Sequence, residues 1–62
     1  MTVIIYFTNG TFIRFNNVRK FDDGIDQGDP CKREVIRFTD EFGAKVVFGK
    51  YSIAGYSIGK EN

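Results

Sequence analysis

The sequence contains no histidine and only a single cysteine. Without histidine there is no side chain whose ordinary pKa suits it to general acid or base work near neutral pH. Ser52 and Ser57 have no evident activating partner, and Cys31 follows Pro30 without an imidazole to lower its pKa, although Lys32 and Arg33 stand beside it. No catalytic residue is therefore assigned and the chain is expected not to be an enzyme. One thiol excludes an internal disulfide, and one thiol without histidine argues against structural zinc. An unpaired cysteine also fits a reducing compartment, so a cytoplasmic location is expected.

Long apolar runs are missing too. The chain enters an alternating segment at Thr2, with no basic leader and no stretch near the ~20 residues that a spanning helix requires, so no membrane association is expected. Charge of either sign is scarce in sum: nine Lys and Arg stand against eight Asp and Glu. A bulk electrostatic pull on nucleic acid is thus not indicated. The distribution is less even. Asp22, Asp23, Asp26 and Asp29 fall in one segment, and removing those four charges from a net +1 leaves +5 on the remaining body.

At 62 residues the chain makes one small domain, 1–62, in the size range where only about 60% of the unfolded surface is buried. With disulfide and zinc excluded, self-association is the remaining common remedy for so thin a core.

What is present is period-two alternation. Ile36 and Phe38 alternate with Val35 and Arg37; Asp40 to Gly43 supply turn chemistry; Ala44, Val46 and Phe48 then alternate with Lys45 and Val47. This is the pattern of a β-hairpin. The first quarter echoes it, with Ile5 laid on Ile36, Phe7 on Phe38, Gly10 on Gly43, Ile13 on Val46 and Phe15 on Phe48. That alignment makes the two turns differ by two residues, an even number that preserves side-chain direction. Duplication and convergence on a common hairpin pattern both explain it.

Asn9-Gly10 is a strong hairpin signal. A two-residue turn would set Arg14 opposite Ile5. A three-residue loop over 8–10, with Gly10 in the left-handed position, instead places Val3, Ile5, Phe7, Ile13 and Phe15 on one apolar face, and is preferred because a buried face selects the register that keeps it apolar. A short third strand follows over 18–21, then an acidic loop at 22–30 interrupted by Gly24, Gly28 and Pro30, expected to be flexible. The second hairpin occupies 32–48, a turn 49–52, and a last strand 53–58, in which Gly55 is expected to relieve crowding at a bend.

Five to six short strands without helical periodicity predict an all-β fold: a small antiparallel barrel, SH3-like or Sm-like, or a curled meander against a second subunit.

Three binding chemistries follow from the outward residues. In the preferred register hairpin one turns out Ile4, Tyr6, Phe12 and Arg14, a set too apolar for open water and rich in residue types found at interface cores; the competing reading is that another strand folds over it inside a barrel. Basic residues interleaved with aromatics, namely Tyr6, Phe12, Arg14, Arg37 and Lys45, suggest a platform for single-stranded nucleic acid, although aromatics also fill the cores of small β domains and no ribonucleoprotein or cold-shock motif is present. Arg14, Arg19 or Lys20 could hold a small anionic nucleotide between subunits. The aspartates do not have the spacing of a calcium loop, so a solvated loop is preferred to a metal site, and no cofactor is implied.

The closing segment from Val46 to Ile58, with Phe48, a spacer and Ile53-Ala54-Gly55-Tyr56-Ser57-Ile58 after a Phe-rich first hairpin, resembles small all-β proteins of bacteriophages and prophages whose roles are uncharacterised. The resemblance implies an accessory protein in the bacterial host cytoplasm that binds and modulates or inhibits a host or phage protein, and it carries no catalytic residue. The leading expectation is a self-associating, non-enzymatic binding protein; the alternatives are a nucleic-acid-binding barrel and a nucleotide-sequestering oligomer.

Overall fold

A computed structural model describes residues 1–25, 28 and 33–60. Six strands alternate along the chain: β1 (Thr2–Tyr6), β2 (Phe12–Phe15), β3 (Arg19–Asp22), β4 (Val35–Thr39), β5 (Lys45–Gly49) and β6 (Gly55–Gly59), with a 3-10 turn over Lys50–Ser52. They form two three-stranded antiparallel sheets, ordered β2-β1-β6 and β3-β4-β5. The expected all-β class holds, but among the described residues the strands do not close into a barrel. Cys31, Asp26 and Asp29 lie outside the described residues.

The register of the first hairpin is the preferred one. Val3 faces Phe15, Ile5 faces Ile13 and Tyr6 faces Phe12. Gly10 has φ +88, and the turn closes through Phe7 N–H to Thr11 O at 2.8 Å and Gly10 N–H to Phe7 O at 3.1 Å. The second hairpin is the same object. Gly43 has φ +84, Asp40 N–H donates to Ala44 O at 2.9 Å and Gly43 N–H to Asp40 O at 3.1 Å. Both loops therefore span three residues, which corrects the two-residue difference expected from the alignment. Ile5 corresponds to Phe38 and Val3 to Ile36, because Ile36 faces Phe48 and Phe38 faces Val46. The side chains that hold the loops differ. Asn9 Oδ1 accepts from Thr11 in the first, and Asp40 Oδ1 accepts the Phe42 and Ala44 amides in the second.

The odd residues of β1 and the even residues of β4 turn inward, giving a core of Val3, Ile5, Ile36 and Phe38, closed by Val18 and Ile53. Rings bridge the two sheets around it: Phe15 against Phe38 and Phe48, Phe7 against Phe48, and Phe21 against Tyr56. Ile13 shares this face but is 45% exposed, since β2 is an edge strand and has no neighbour on its outer side. Val18 joins the sheets, its N–H donating to Met1 O at 2.8 Å.

β3 carries a bulge. Arg19 faces Thr39, but the next aligned partner of β4 is Arg37 opposite Asp22, so one extra residue is inserted. Continued without the bulge, the ladder would have set Lys20 opposite Phe38, facing the core, and Phe21 opposite Arg37, facing water. The inserted residue reverses that assignment: Phe21 stacks on Phe38 with centroids 6.1 Å apart, and Lys20 is exposed at φ +54. Burying a phenyl ring rather than an ammonium offsets the cost of a left-handed lysine.

At Gly55 an added Cβ would meet nothing within 4 Å, so the expected relief of crowding is not its role. The last strand also begins later than expected, after Ile53 has entered the core and Ala54 N–H has bonded Tyr6 O at 2.8 Å.

Candidate binding surfaces

The two sheets present outer faces of different chemistry. On β2-β1-β6 the even residues of β1 point away from the core. Tyr6 and Phe12 are direct register partners with ring centroids 6.3 Å apart, 40% and 62% exposed. Ile4 lies between Arg14 on β2 and Ser57 on β6. The Tyr6 hydroxyl is 3.2 Å from Ser57 Oγ, and Arg14 Nε donates to Asn16 Oδ1 at 3.2 Å, which holds the guanidinium at the rim. β6 lies beside β1 rather than over it, and its outward positions are Gly55, Ser57 and Gly59. The expected patch of Ile4, Tyr6, Phe12 and Arg14 is thus assembled on one face, and no described strand covers it.

The outer face of β3-β4-β5 is cationic. One register row reads Arg19, Thr39, Lys45 and the next reads Asp22, Arg37, Val47. A shallow depression of about 290 Å³ opens here, lined by Lys20, Arg37, Phe38, Thr39, Lys45, Val46 and Val47. Arg19 lines a neighbouring hollow with Met1, Asn17, Val18 and Glu41. Of the five cations marked in the sequence, three therefore converge, Arg19 flanks them, and Arg14 belongs to the other sheet. Val47 stands outward with Arg37 and Lys45, as alternation predicts; Thr39 is the added member, and it follows from Arg37 by period two. Among the described residues the depression has no exposed ring, its Phe38 being buried. Tyr6 and Phe12 stand on the opposite sheet, so the proposed mixing of aromatics with Arg37 and Lys45 in one stacking platform does not occur.

Asp22 and Asp23, at the start of the acidic segment, are engaged with the chain: Asp22 Oδ1 accepts the Gly24 amide at 2.8 Å and Asp23 Oδ1 the Ile25 amide at 3.0 Å. Among the described residues no group of metal-ligating side chains gathers. Asp23 also acts across the sheets on Tyr56, whose phenol is held above its ordinary pKa of 10.0 by burial first, then by the charge and hydrogen bonding of Asp23. No helix among the described residues is long and apolar enough to cross a membrane.

Comparison with protein-family models, with curated proteins and with solved structures finds no match to this chain.

Proposed function

We propose that the protein is a non-enzymatic binding protein that self-associates through the outer face of β2-β1-β6. The observation that carries this reading is the Tyr6–Phe12 pair, two facing aromatic side chains 40% and 62% exposed over a core of six buried apolar residues among those described. Exposed apolar surface of this kind is characteristic of interfaces. A small domain also gains more from a second copy than from anything its own chain can add. Among the described residues the face has one cation, Arg14, at its rim, so two copies can meet with their aromatic centres together and their charges in water.

The reading treats the two sheets as the halves of an SH3-like arrangement left open. It is supported by the chain passing from β2 to β3 across the junction at Val18 and by the 3-10 turn that precedes β6. The setting is the one the phage-protein resemblance implies, a cytoplasmic accessory protein that modulates a host or phage protein.

Sedimentation velocity over a range of concentrations tests self-association. The wild type sediments as an oligomer and Phe12→Asp as a monomer; a wild type that remains monomeric at high concentration removes the proposal. The wider setting is tested with a tagged copy expressed in the bacterial cytoplasm. A stoichiometric partner lost on Tyr6→Asp supports it, whereas recovery of the protein with itself alone excludes it.

A further inference from the structure

The cationic depression on β3-β4-β5 is independent of the self-association face and has its own chemistry. Three positive side chains from three adjacent strands, Lys20, Arg37 and Lys45, line one hollow, with Thr39 supplying a hydroxyl and Val47 an apolar side chain. Like charges brought together repel, and while burial of Phe21 turns Lys20 outward, Arg37 and Lys45 take their places on the same face by alternation along β4 and β5. Among the described residues no carboxylate forms an ion pair with any of the three. The nearest in register is Asp22, opposite Arg37, and its Oδ1 accepts the Gly24 amide of its own chain. The β3 bulge directs Lys20 outward at φ +54, in a backbone conformation that lysine rarely adopts.

We infer that this depression binds the phosphate groups of a nucleotide or of a single-stranded nucleic acid. Ammonium and guanidinium groups donate charge-assisted hydrogen bonds to phosphate oxygens, and the fork of Arg37 suits a phosphate's paired oxygens. The Thr39 hydroxyl adds a neutral donor. The absence of an exposed ring in the lining assigns recognition to the phosphates rather than to stacked bases. Three cations spread over adjacent strands match a ligand that carries several negative charges in succession, as a di- or triphosphate or a run of phosphodiesters does.

Binding is measured by competition and fluorescence anisotropy with two probes, inorganic pyrophosphate and a labelled oligothymidylate, from low salt upward. Three phosphate contacts on a single strand give a slope of log affinity against log salt of about −2, from roughly 0.7 per contact. Arg37→Gln and Lys45→Gln each lower affinity about tenfold at low salt and reduce the slope by about 0.7. Lys20→Gly is the decisive variant. Glycine accepts the left-handed backbone, so the melting temperature holds or rises while affinity falls. Lys60→Gln, beyond the end of β6 on the other sheet, leaves binding unchanged. Binding of the oligonucleotide with weak pyrophosphate affinity identifies a strand as the source of the phosphates, and the reverse identifies a small nucleotide; either outcome supports the site. Failure of both probes to bind at low salt overturns it, as does equal loss in Lys60→Gln or no loss in Lys20→Gly.

Discussion

Phe15 on β2 and Phe38 on β4 meet edge to face with ring centroids 5.0 Å apart, although they belong to different sheets. Phe38 also packs against Phe21 and Phe48, so one ring ties β2, β3 and β5 together from the centre of the second sheet. A domain of 62 residues has a stability of about 3 to 9 kcal/mol, at roughly 0.05 to 0.15 kcal/mol per residue. Truncating a buried phenylalanine costs about 3 to 5 kcal/mol. Phe38→Ala is therefore expected to unfold a large fraction of the protein at room temperature, visible in urea titration. A loss below about 1 kcal/mol would mean that the sheets are not held together through this ring.

The matched turns give a paired expectation. Gly10 and Gly43 both have positive φ and both have open space where a Cβ would stand, so alanine meets no clash and the cost is the backbone conformation alone. That cost is about 1 to 2 kcal/mol for an L-residue. Gly10→Ala and Gly43→Ala should destabilise by similar amounts, whereas Gly55→Ala, without positive φ and with the same open space, should be neutral or stabilise by up to about 1 kcal/mol. Unequal costs at the first two positions would show that the hairpins differ in the context that supports their turns.

Both hairpins were legible from Asn9-Gly10, the turn residues after Thr39 and strict alternation, because period two and turn chemistry are local properties. The equal turn lengths were not: Phe7-Thr8 and Phe38-Thr39 look alike, and matching them shifts one strand by two residues without changing which face is apolar. The β3 bulge is not legible for a related reason. Arg19 and Lys20 are consecutive outward residues before an inward Phe21, which no regular strand allows, yet alternation alone does not say where the extra residue goes. The partition of Arg14 from Arg37 and Lys45 required knowing which strands share a sheet, a property of long-range pairing.

Tyr56 links titration to stability. Its pKa is raised in the fold, so the fold favours the protonated phenol; that contribution is fully present below the ordinary value of 10.0 and is lost as pH rises through the folded value. The difference in tyrosinate absorbance between wild type and Tyr56→Phe should show a transition above pH 10.0. Asp23→Asn should move that transition down by removing the charge while leaving the burial. Unfolding free energy should decline more steeply with alkaline pH in the wild type than in Tyr56→Phe. A difference transition at the ordinary value would refute the Asp23 contact.

Self-association predicts how stability depends on concentration. Ile4, Tyr6 and Phe12 can each gain about 1.5 to 3 kcal/mol on full burial, and a two-fold interface buries each of them twice. Against this stands an association cost of about 4 to 15 kcal/mol, of the same size as the gain, so the dimer is expected to be concentration-dependent. The wild-type melting temperature should accordingly rise with protein concentration. Phe12→Asp separates the interface from the fold. Phe12 is 62% exposed in the isolated chain, so a carboxylate there costs little in dilute solution, but at the centre of a dimer it would lose its hydration. The variant should match the wild type's melting temperature at low concentration and stay there as concentration rises. If Phe12→Asp instead melts far below the wild type at every concentration, the ring is needed by the monomer itself, and the β2-β1-β6 face is a folding surface rather than a binding one.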